Sequence, residues 1–151
     1  MNNKQISWSD LESLIRNSSI KSKYSDIDLV VSIGSGGMVP GVIIAKMLNK
    51  PVVNIGVKSY AIDNTQTFKA DWYQTFKFKK SQHKKILVVD DINDSGYTLH
   101  SVNCHLMSQY FNDDDVSYLT LYMKPHTIFT ADYLQVVDND SWLTFPWEVQ
   151  E

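Results

Sequence analysis

Cysteine is almost absent from this chain, which has Cys104 as its single cysteine among 151 residues. One cysteine excludes an internal disulfide and any zinc site that needs several cysteine ligands. Because Cys104 falls in a predicted helix, we expect it to be a buried structural thiol rather than a nucleophile.

Long apolar runs and an excess of positive charge are also lacking. No stretch approaches the roughly 20 apolar residues of a membrane span, and residues 1–5 have no apolar core of the kind found in signal peptides. The formal net charge of -3 argues against non-specific binding to nucleic acid. We therefore expect a cytoplasmic protein with no stable membrane insertion and no nucleic-acid partner.

The residues that are present predict one domain over residues 1–151. A hydrophobic content of 43% is ordinary for a soluble chain of this length, and strand-like and helix-like patterns alternate along it. Helices are predicted over residues 8–20, 38–48 and 97–111, and strands over residues 27–33, 51–57, 86–89, 116–123 and 133–137. The alternation predicts an α/β fold with a mostly parallel central sheet flanked by helices.

Residues 58–85 form the least hydrophobic region. A turn is predicted at Asp63-Asn64, and a returning strand is predicted to follow it. The aromatic residues of that returning strand are Trp72, Tyr73, Phe76 and Phe78. Because the region has few residues able to bury, it predicts a mobile hairpin.

Two adjacent carboxylates, Asp90 and Asp91, follow the apolar strand over residues 86–89. They would stand at the carboxyl end of a strand, where ligands bind in open α/β sheets. Residues 94–98 then supply a glycine for a tight turn, hydroxyl groups and the free N–H groups of a helix start, which together suit a phosphate. The same segment is compatible with a plain capped helix that has Asp94 or Ser95 as its N-cap. The acid pair and the loop together favour a phosphorylated sugar.

A second glycine turn, residues 34–37, also follows a predicted strand and opens a helix. No Lys-Ser or Lys-Thr follows these glycines, which excludes a Walker A loop, and a dinucleotide fingerprint would need a glycine at Val39.

Residues 88–98 resemble the 5-phosphoribosyl 1-pyrophosphate signature of type I phosphoribosyltransferases. In that family the two acids contact the ribose hydroxyls directly or through magnesium, and the following loop binds the 5′-phosphate. The resemblance implies catalytic roles for Asp90, Asp91 and Asp94, with Asp91 as a magnesium ligand and Asp94 exchanging a proton with the purine N7. The implied phosphate cradle consists of Asp94, Ser95, Gly96, Tyr97 and Thr98. Tyr97 departs from the glycine that some members have.

The turn at residues 34–37 resembles the pyrophosphate-binding loop of the same family, in the Arg-Gly-Gly-x-Val-Pro-Gly form of xanthine–guanine phosphoribosyltransferases. The resemblance implies pyrophosphate contacts for Ser35, Gly36 and Gly37. Ser35 stands where that form has Arg, so we expect weaker pyrophosphate binding or compensation by another cation such as Lys58. The resemblance also predicts a cis peptide between Gly34 and Ser35.

Two further segments are similar to the same family. Ser59 and Tyr60 match a Ser-Tyr pair in a flexible loop that closes over the donor, so residues 58–80 are expected to form a lid. Lys124 and the closing aromatic segment resemble a base-binding part, which implies a small C-terminal hood over residues 124–151. There Lys124 would donate to the purine 6-oxo group, Trp142 would stack on the base and Leu143 would supply backbone hydrogen bonds.

The resemblance implies a purine salvage enzyme that uses Mg²⁺ and transfers a 5-phosphoribosyl group to guanine, xanthine or hypoxanthine, releasing pyrophosphate. The aromatic residues that look exposed predict a homo-oligomer. Two alternatives stay open. One is a non-catalytic nucleotide or phosphoribosyl-pyrophosphate-binding regulatory protein on the same fold, which Ser35 makes plausible. The other is a receiver-type signalling domain, whose acid pair should end the first strand, whereas Asp90 and Asp91 follow two earlier strands.

Overall fold

The computed structural model describes residues 2–62 and 67–148. Its elements are, in chain order, β1 (Asn2–Gln5), α1 (Trp8–Arg16), α2 (Ile20–Lys23), β2 (Leu29–Gly34), α3 (Met38–Leu48), β3 (Val52–Ile62), β4 (Thr67–Gln74), β5 (Ile86–Asn93), α4 (Tyr97–Gln109), β6 (Val116–Met123), β7 (Asp132–Val136) and β8 (Ser141–Thr144). A 3-10 turn covers Asp113–Asp115. No helix in the described ranges is long and apolar enough to cross a membrane.

Six strands form the central sheet in the order β4-β3-β2-β5-β6-β7. Neighbouring strands run parallel throughout, except that β4 pairs antiparallel with β3. The predicted mostly parallel sheet flanked by helices is therefore confirmed. Because β2, β3, β5 and β6 run in the same direction, the loops that follow them lie along one edge of the sheet.

Both faces of the sheet are buried, which explains why its central strands are almost continuously apolar. Alternate residues point to opposite faces: Val30 and Leu87 join one core cluster, and Val31 and Val88 join the other. Helices α1 and α3 cover the first face through residues such as Ile44, and α4 covers the second. Helices therefore cover both faces of the sheet, and the edge where its loops gather is the place left for a ligand.

The helix predicted over residues 8–20 is wrong in extent, because the chain breaks into α1 and α2. Ser7 caps α1 in a reciprocal capping box with Asp10. At the other end Asn17 is the C-cap, and the Ser18 hydroxyl donates to the carbonyl of Ile15 at 2.5 Å. These local hydrogen bonds compete with continued helix and end α1 after Arg16.

The returning strand is confirmed as β4, but it ends at Gln74, so placing Phe76 and Phe78 in it is wrong. Phe76 and Phe78 instead pack edge to face on each other, with ring centroids 5.0 Å apart, and Phe78 packs in the same way on Phe111. Burial in this cluster, rather than sheet pairing, accounts for their apolar character. The turn predicted at Asp63-Asn64 lies outside the described residues.

Cys104 lies in α4 as predicted, but the prediction that it is buried is wrong, because the thiol is exposed. Val102 and Leu106 hold the core-facing side of the helix. Cys104 falls on the opposite side of that helical stripe, where solvent reaches it.

Two short strands were not expected from the sequence. The residues of β1 pair in parallel with those of β8, which places Asn3 beside Trp142 and Lys4 beside Leu143. This small sheet sits beside the main core, to which Leu143 and Phe145 contribute buried side chains. The first and last described strands therefore form one unit.

Candidate active site

The acid pair stands where the sequence predicted it, at the carboxyl end of β5. Asp90 is 8% exposed and Asp91 is half-buried. Each carboxylate accepts a backbone N–H group: Asp90 Oδ1 from Asp91 at 2.9 Å and Asp91 Oδ1 from Ile92 at 2.7 Å. Neither carboxylate forms an ion pair with a cation in the part of the chain that the structure describes.

Burial without a cationic partner changes the proton affinity of both acids. Burial raises the pKa of Asp91 to about 6. The pKa of Asp90 is raised well above its usual range, first by burial and then by the charge of Asp91. Each carboxylate thus has a backbone N–H donor but no cation beside it. Two such carboxylates at a sheet edge are typical of a site that binds a cation or the hydroxyl groups of a ligand.

The loop after the acid pair turns sharply into α4. Gly96 is the N-cap with a φ of 88°, in the left-handed region that favours glycine. A side chain there would also lie 2.5 Å from Thr127 Oγ1. The first hydrogen bond of the helix runs from His100 N to Gly96 O, so the N–H groups of Thr98 and Leu99 have no acceptor within the helix. These amides and the helix dipole would favour a bound anion, and we call this helix start the anion seat.

The second glycine loop comes into direct contact with the acid pair. A Cβ atom built on Gly36 would overlap the Asp91 carboxylate, and one on Gly37 would lie 2.5 Å from Val89 O. The peptide between Gly34 and Ser35 is cis, as predicted. Ser35 is exposed next to this contact. The loops after β2 and β5 therefore share one site.

A chain of polar side chains lies behind the second loop, and no local sequence pattern predicts it. Ser32 Oγ donates to Asn54 Oδ1 at 2.8 Å, and Asn54 Nδ2 donates to Gln74 Oε1 at 3.0 Å. The Asn54 amide also lies where a Cβ atom on Gly34 would go. This chain connects the glycine loop to the base of the β3–β4 hairpin.

Lys124, directly after β6, and Asp94, directly after β5, form an ion pair at the loop edge of the sheet. Lys124 is 6% exposed, and its Nζ donates to Asp94 Oδ2 at 2.9 Å. His126 Nε2 lies 2.6 Å from the other oxygen, Asp94 Oδ1. Sequence reasoning placed Lys124 and Asp94 in the site but missed His126, although its position two residues after a strand-end lysine was a usable signal.

Asn93 was also missed, and it connects the two loops that hold this cluster. Its Oδ1 accepts from Thr127 Oγ1 at 2.6 Å, and its Nδ2 donates to Phe129 O at 2.9 Å. Its backbone carbonyl accepts from Lys124 N at 3.0 Å. Asn93 is only 2% exposed, which makes these contacts obligatory for a buried amide.

Ser59 and Tyr60 are not brought to the acid pair. The Ser59 hydroxyl lies 3.3 Å from that of Ser101 on α4, and the Tyr60 hydroxyl donates to Asp71 Oδ2 at 3.1 Å along the hairpin. The Trp72 ring also packs on that of His105, with centroids 4.5 Å apart. In this structure the hairpin rests on α4, and contact of Ser59 and Tyr60 with a donor stays a prediction.

The two predicted base contacts from β8 differ in exposure. Trp142 is 57% exposed, so its indole face is open to a ligand. The side chain of Leu143 is buried in the core, which leaves its backbone as the group able to contact a base. No hydrogen bond, ion pair or ring contact among the described residues joins Trp142 to the acidic loop. The Trp147 ring instead stacks on the Phe145 ring, with centroids 4.8 Å apart, and therefore has a structural role.

A cleft of about 220 Å³ lies at the acidic loop and is lined by Asp90–Gly96 together with Thr98 and Leu99. A larger cleft of about 560 Å³ lies elsewhere, between α1 and the strands β6 and β7. The smaller one carries the acid pair, the anion seat and the Asp94 carboxylate. Chemistry rather than size marks it as the candidate active site.

The chain is similar to several known proteins. Residues 7–151 match the phosphoribosyl transferase domain family. A xanthine-guanine phosphoribosyltransferase of Chromohalobacter salexigens is 30% identical over 146 residues, which cover 95% of this chain and 83% of the relative. One from Ruegeria sp. is 34% identical over 129 residues, covering 80% and 68%. The crystal structure of a purine phosphoribosyltransferase from Pyrococcus horikoshii superposes with a TM-score of 0.80 at 24% identity, covering 100% of this chain and 97% of that one. The chain belongs to the phosphoribosyltransferase family.

Proposed function

We propose that this protein transfers the 5-phosphoribosyl group from 5-phosphoribosyl 1-pyrophosphate to a 6-oxopurine, releasing pyrophosphate, in purine salvage. The observation that carries this proposal is the pairing of Lys124 with Asp94 at 2.9 Å, beside the anion seat of α4. A purine has its O6 acceptor next to N7, so one donor and one proton acceptor side by side suit that edge of the base.

The ammonium of Lys124 selects for an oxo group at position 6. An ammonium has only donors, whereas a 6-amino group offers donors of its own at that point. Lys124 is 6% exposed and cannot easily turn away to solvent. Leaving it opposite a 6-amino group would cost the desolvation of an unpaired charge, so adenine should be a poor substrate.

The acid pair is assigned to the ribose. Asp90 and Asp91 would accept hydrogen bonds from its two hydroxyl groups. Burial raises the pKa of both acids, and hydrogen bonds from the ribose to the ionised carboxylates would act against that rise. Their oxygens also suit Mg²⁺, which binds through one or two carboxylates together with substrate phosphates. No cluster of three metal-ligating side chains occurs in residues 2–62 and 67–148, so Asp91 would hold the ion jointly with the donor. When bound, Mg²⁺ would neutralise charge on the pyrophosphate.

The remaining contacts follow the same arrangement. The α4 N-terminus, with Ser95, Gly96, Tyr97 and Thr98, would bind the 5′-phosphate. Ser35, Gly36 and Gly37 would face the pyrophosphate, and Ser59 and Tyr60 would cover it when the hairpin moves. Trp142 would stack on the base, and the Leu143 backbone would bind its other edge.

The reaction forms a bond between a purine nitrogen and C1 of the ribose while the bond from C1 to the pyrophosphate oxygen breaks. Positive charge develops on the sugar next to the carboxylates of Asp90 and Asp91, which stabilise it. The proton that the purine loses passes from N7 to Asp94. Most of the rate enhancement would come from holding the two reactants in line.

The test is a turnover assay with the ribosyl donor and Mg²⁺, using guanine, hypoxanthine, xanthine and, as the control base, adenine. Nucleotide should form from at least one 6-oxopurine and much more slowly from adenine. Asp94→Asn should lower kcat by about 100-fold or more. Omission of Mg²⁺ in the presence of a chelator should abolish turnover. If calorimetry instead detects tight donor or nucleotide binding while no pyrophosphate is released, the regulatory alternative replaces this proposal.

Self-association belongs to the same proposal. Trp8, Met38, Val42 and Ile43 are exposed apolar side chains on α1 and α3. Burying them against a second copy would remove apolar surface from water. Light scattering coupled to size exclusion should therefore give a mass above the 17.3 kDa of one chain.

A further inference from the structure

Both oxygens of the Asp94 carboxylate are engaged by different side chains. Lys124 Nζ lies 2.9 Å from Oδ2, and His126 Nε2 lies 2.6 Å from Oδ1. The Asp94 and His126 side chains are 46% and 42% exposed, whereas that of Lys124 is 7% exposed. The contact from Lys124 is therefore buried and always cationic. The contact from His126 is open to solvent, and its charge depends on whether the imidazole is protonated.

The loop that carries His126 is held by hydrogen bonds on both sides. The His126 backbone N–H donates to Asn139 Oδ1 at 3.0 Å, and Thr127 N donates to Lys124 O at 3.1 Å. Ile128 N donates to Ser95 O at 2.9 Å, which joins the loop to the anion seat. The imidazole is therefore placed beside Asp94 by the fold rather than by a flexible side chain alone.

We propose that His126 is a positioning residue that orients the Asp94 carboxylate and makes its acceptance of the purine proton dependent on the charge of the imidazole. This inference rests on the proposed function. A neutral imidazole with its proton on Nε2 donates to Oδ1 and leaves Oδ2 directed at Lys124 and the base. The proton then moves from the purine N7 to Asp94, with the C1–N bond formed and pyrophosphate released.

A protonated imidazole would act against that transfer. It adds a second positive charge to the carboxylate that Lys124 already faces, which stabilises the ionised form and opposes its protonation. The groups around His126 are Asp94 from the β5–α4 loop, Lys124 from the end of β6, and the β7–β8 turn, where Asn139 is flanked by Asp138 and Asp140. Histidine is the side chain whose charge changes nearest to neutral pH, so acidification should switch this effect on.

The first experiment compares His126→Gln with His126→Ala in the turnover assay between pH 5.5 and 8.5. Glutamine keeps an N–H donor and cannot become charged, whereas alanine removes the donor. We expect the glutamine variant to stay within about 3-fold of wild-type kcat at pH 8 and to lose less activity than wild type on acidification. Alanine should lower kcat about 10-fold or more at every pH. The matched control is His100→Gln, on α4, which should keep the wild-type profile. An unchanged profile in the glutamine variant overturns the proposal.

The second experiment does not depend on turnover. The ring signals of the four histidines can be followed by NMR as pH is changed, in the wild-type protein and in Asp94→Asn. Loss of the carboxylate should move the ring signals of His126 and leave those of the other three histidines in place. No movement overturns the coupling of His126 to Asp94. If the movement occurs but no 6-oxopurine is turned over by the wild-type protein, the proposed function fails, and the role of His126 in proton transfer fails with it.

Discussion

Gly36 packs directly against the Asp91 carboxylate, so closely that no side chain fits between them. The contact joins the loop after β2 to the acid pair after β5. Gly37, the next residue, is enclosed differently, because its neighbours are the backbone carbonyls of Val89 and Ile33. Position 36 therefore requires glycine because of the Asp91 side chain in the site, and position 37 requires it because of the surrounding backbone.

Gly36→Ala should therefore mainly lower activity, whereas Gly37→Ala should mainly lower stability. A Cβ at position 36 displaces the Asp91 side chain, which can rotate, so activity should fall at least 10-fold while stability changes by less than about 1 kcal/mol. A Cβ at position 37 meets backbone at 2.5 and 2.8 Å, which cannot yield cheaply, so that variant should lose about 2 kcal/mol or more. Urea unfolding and turnover measured on both proteins check this. Equal effects on stability would contradict it.

Asp91→Asn should stabilise the protein at neutral pH while it abolishes turnover. The folded protein raises the pKa of Asp91 from 3.8 to about 6, so the folded state binds more protons than the unfolded state between these values. Stability therefore falls as pH rises through this range, and asparagine removes that loss. The expected gain is about 1 to 3 kcal/mol at pH 7.5 and much less at pH 4.

The measurement for Asp91→Asn is urea unfolding at both pH values in metal-free buffer with a chelator. Asp114→Asn, in the exposed 3-10 turn, is the matched control and should change stability little at either pH. A gain that is equal at pH 4 and pH 7.5 would show that the cause is not the proton affinity of Asp91.

Ser35→Arg should strengthen donor binding. Ser35 is exposed beside Gly36, so a longer side chain has room to reach pyrophosphate. A charge-assisted hydrogen bond contributes about 1.5 to 3 kcal/mol, which corresponds to roughly 10-fold or more in KM for the donor. Ser35→Gln, which is long but uncharged, should gain far less. If arginine brings no gain, Lys58→Gln would reveal whether that lysine already supplies the charge, because KM for the donor should then rise.

Trp72→Ala should loosen the hairpin of β3 and β4. The Trp72 ring packs on His105 of α4, whereas the neighbouring Tyr73 side chain is 72% exposed and faces the other way. Loss of the ring should lower stability by about 1 to 2 kcal/mol and speed amide hydrogen exchange in the hairpin. Tyr73→Ala is the control and should leave exchange nearly unchanged. The same acceleration in both variants would mean that Trp72 does not anchor the hairpin.

The parts of the fold that the sequence predicted well are those with a strong local pattern. Met38–Leu48 and Val116–Met123 form the predicted elements with the same bounds. Both are strongly apolar, and their length separates them: 11 residues suit a helix, and 8 suit a strand buried within a sheet. The strand β1 was missed for the opposite reason. Its residues, Asn2–Gln5, are polar and exposed, and they form a strand because β8 lies beside them.

The site residues could be predicted where they are consecutive in the chain. The acid pair and the loop over residues 94–98 carry their pattern within one stretch of chain. His126 and Asn54 do not, since their partners Asp94 and Gln74 are reached only through the folded sheet. The positions of Ser59 and Tyr60 were beyond prediction as well, because the packing of the hairpin on α4 depends on long-range contacts such as Trp72 with His105.

The parallel pairing of β1 with β8 has a consequence for how the protein folds. The two strands lie far apart in the sequence, so their pairing closes a long loop and carries a large entropic cost until the central sheet has brought them together. Any purine selectivity that Trp142 confers would therefore depend on long-range pairing, whereas the acid pair and the loop after it lie within one short stretch of chain.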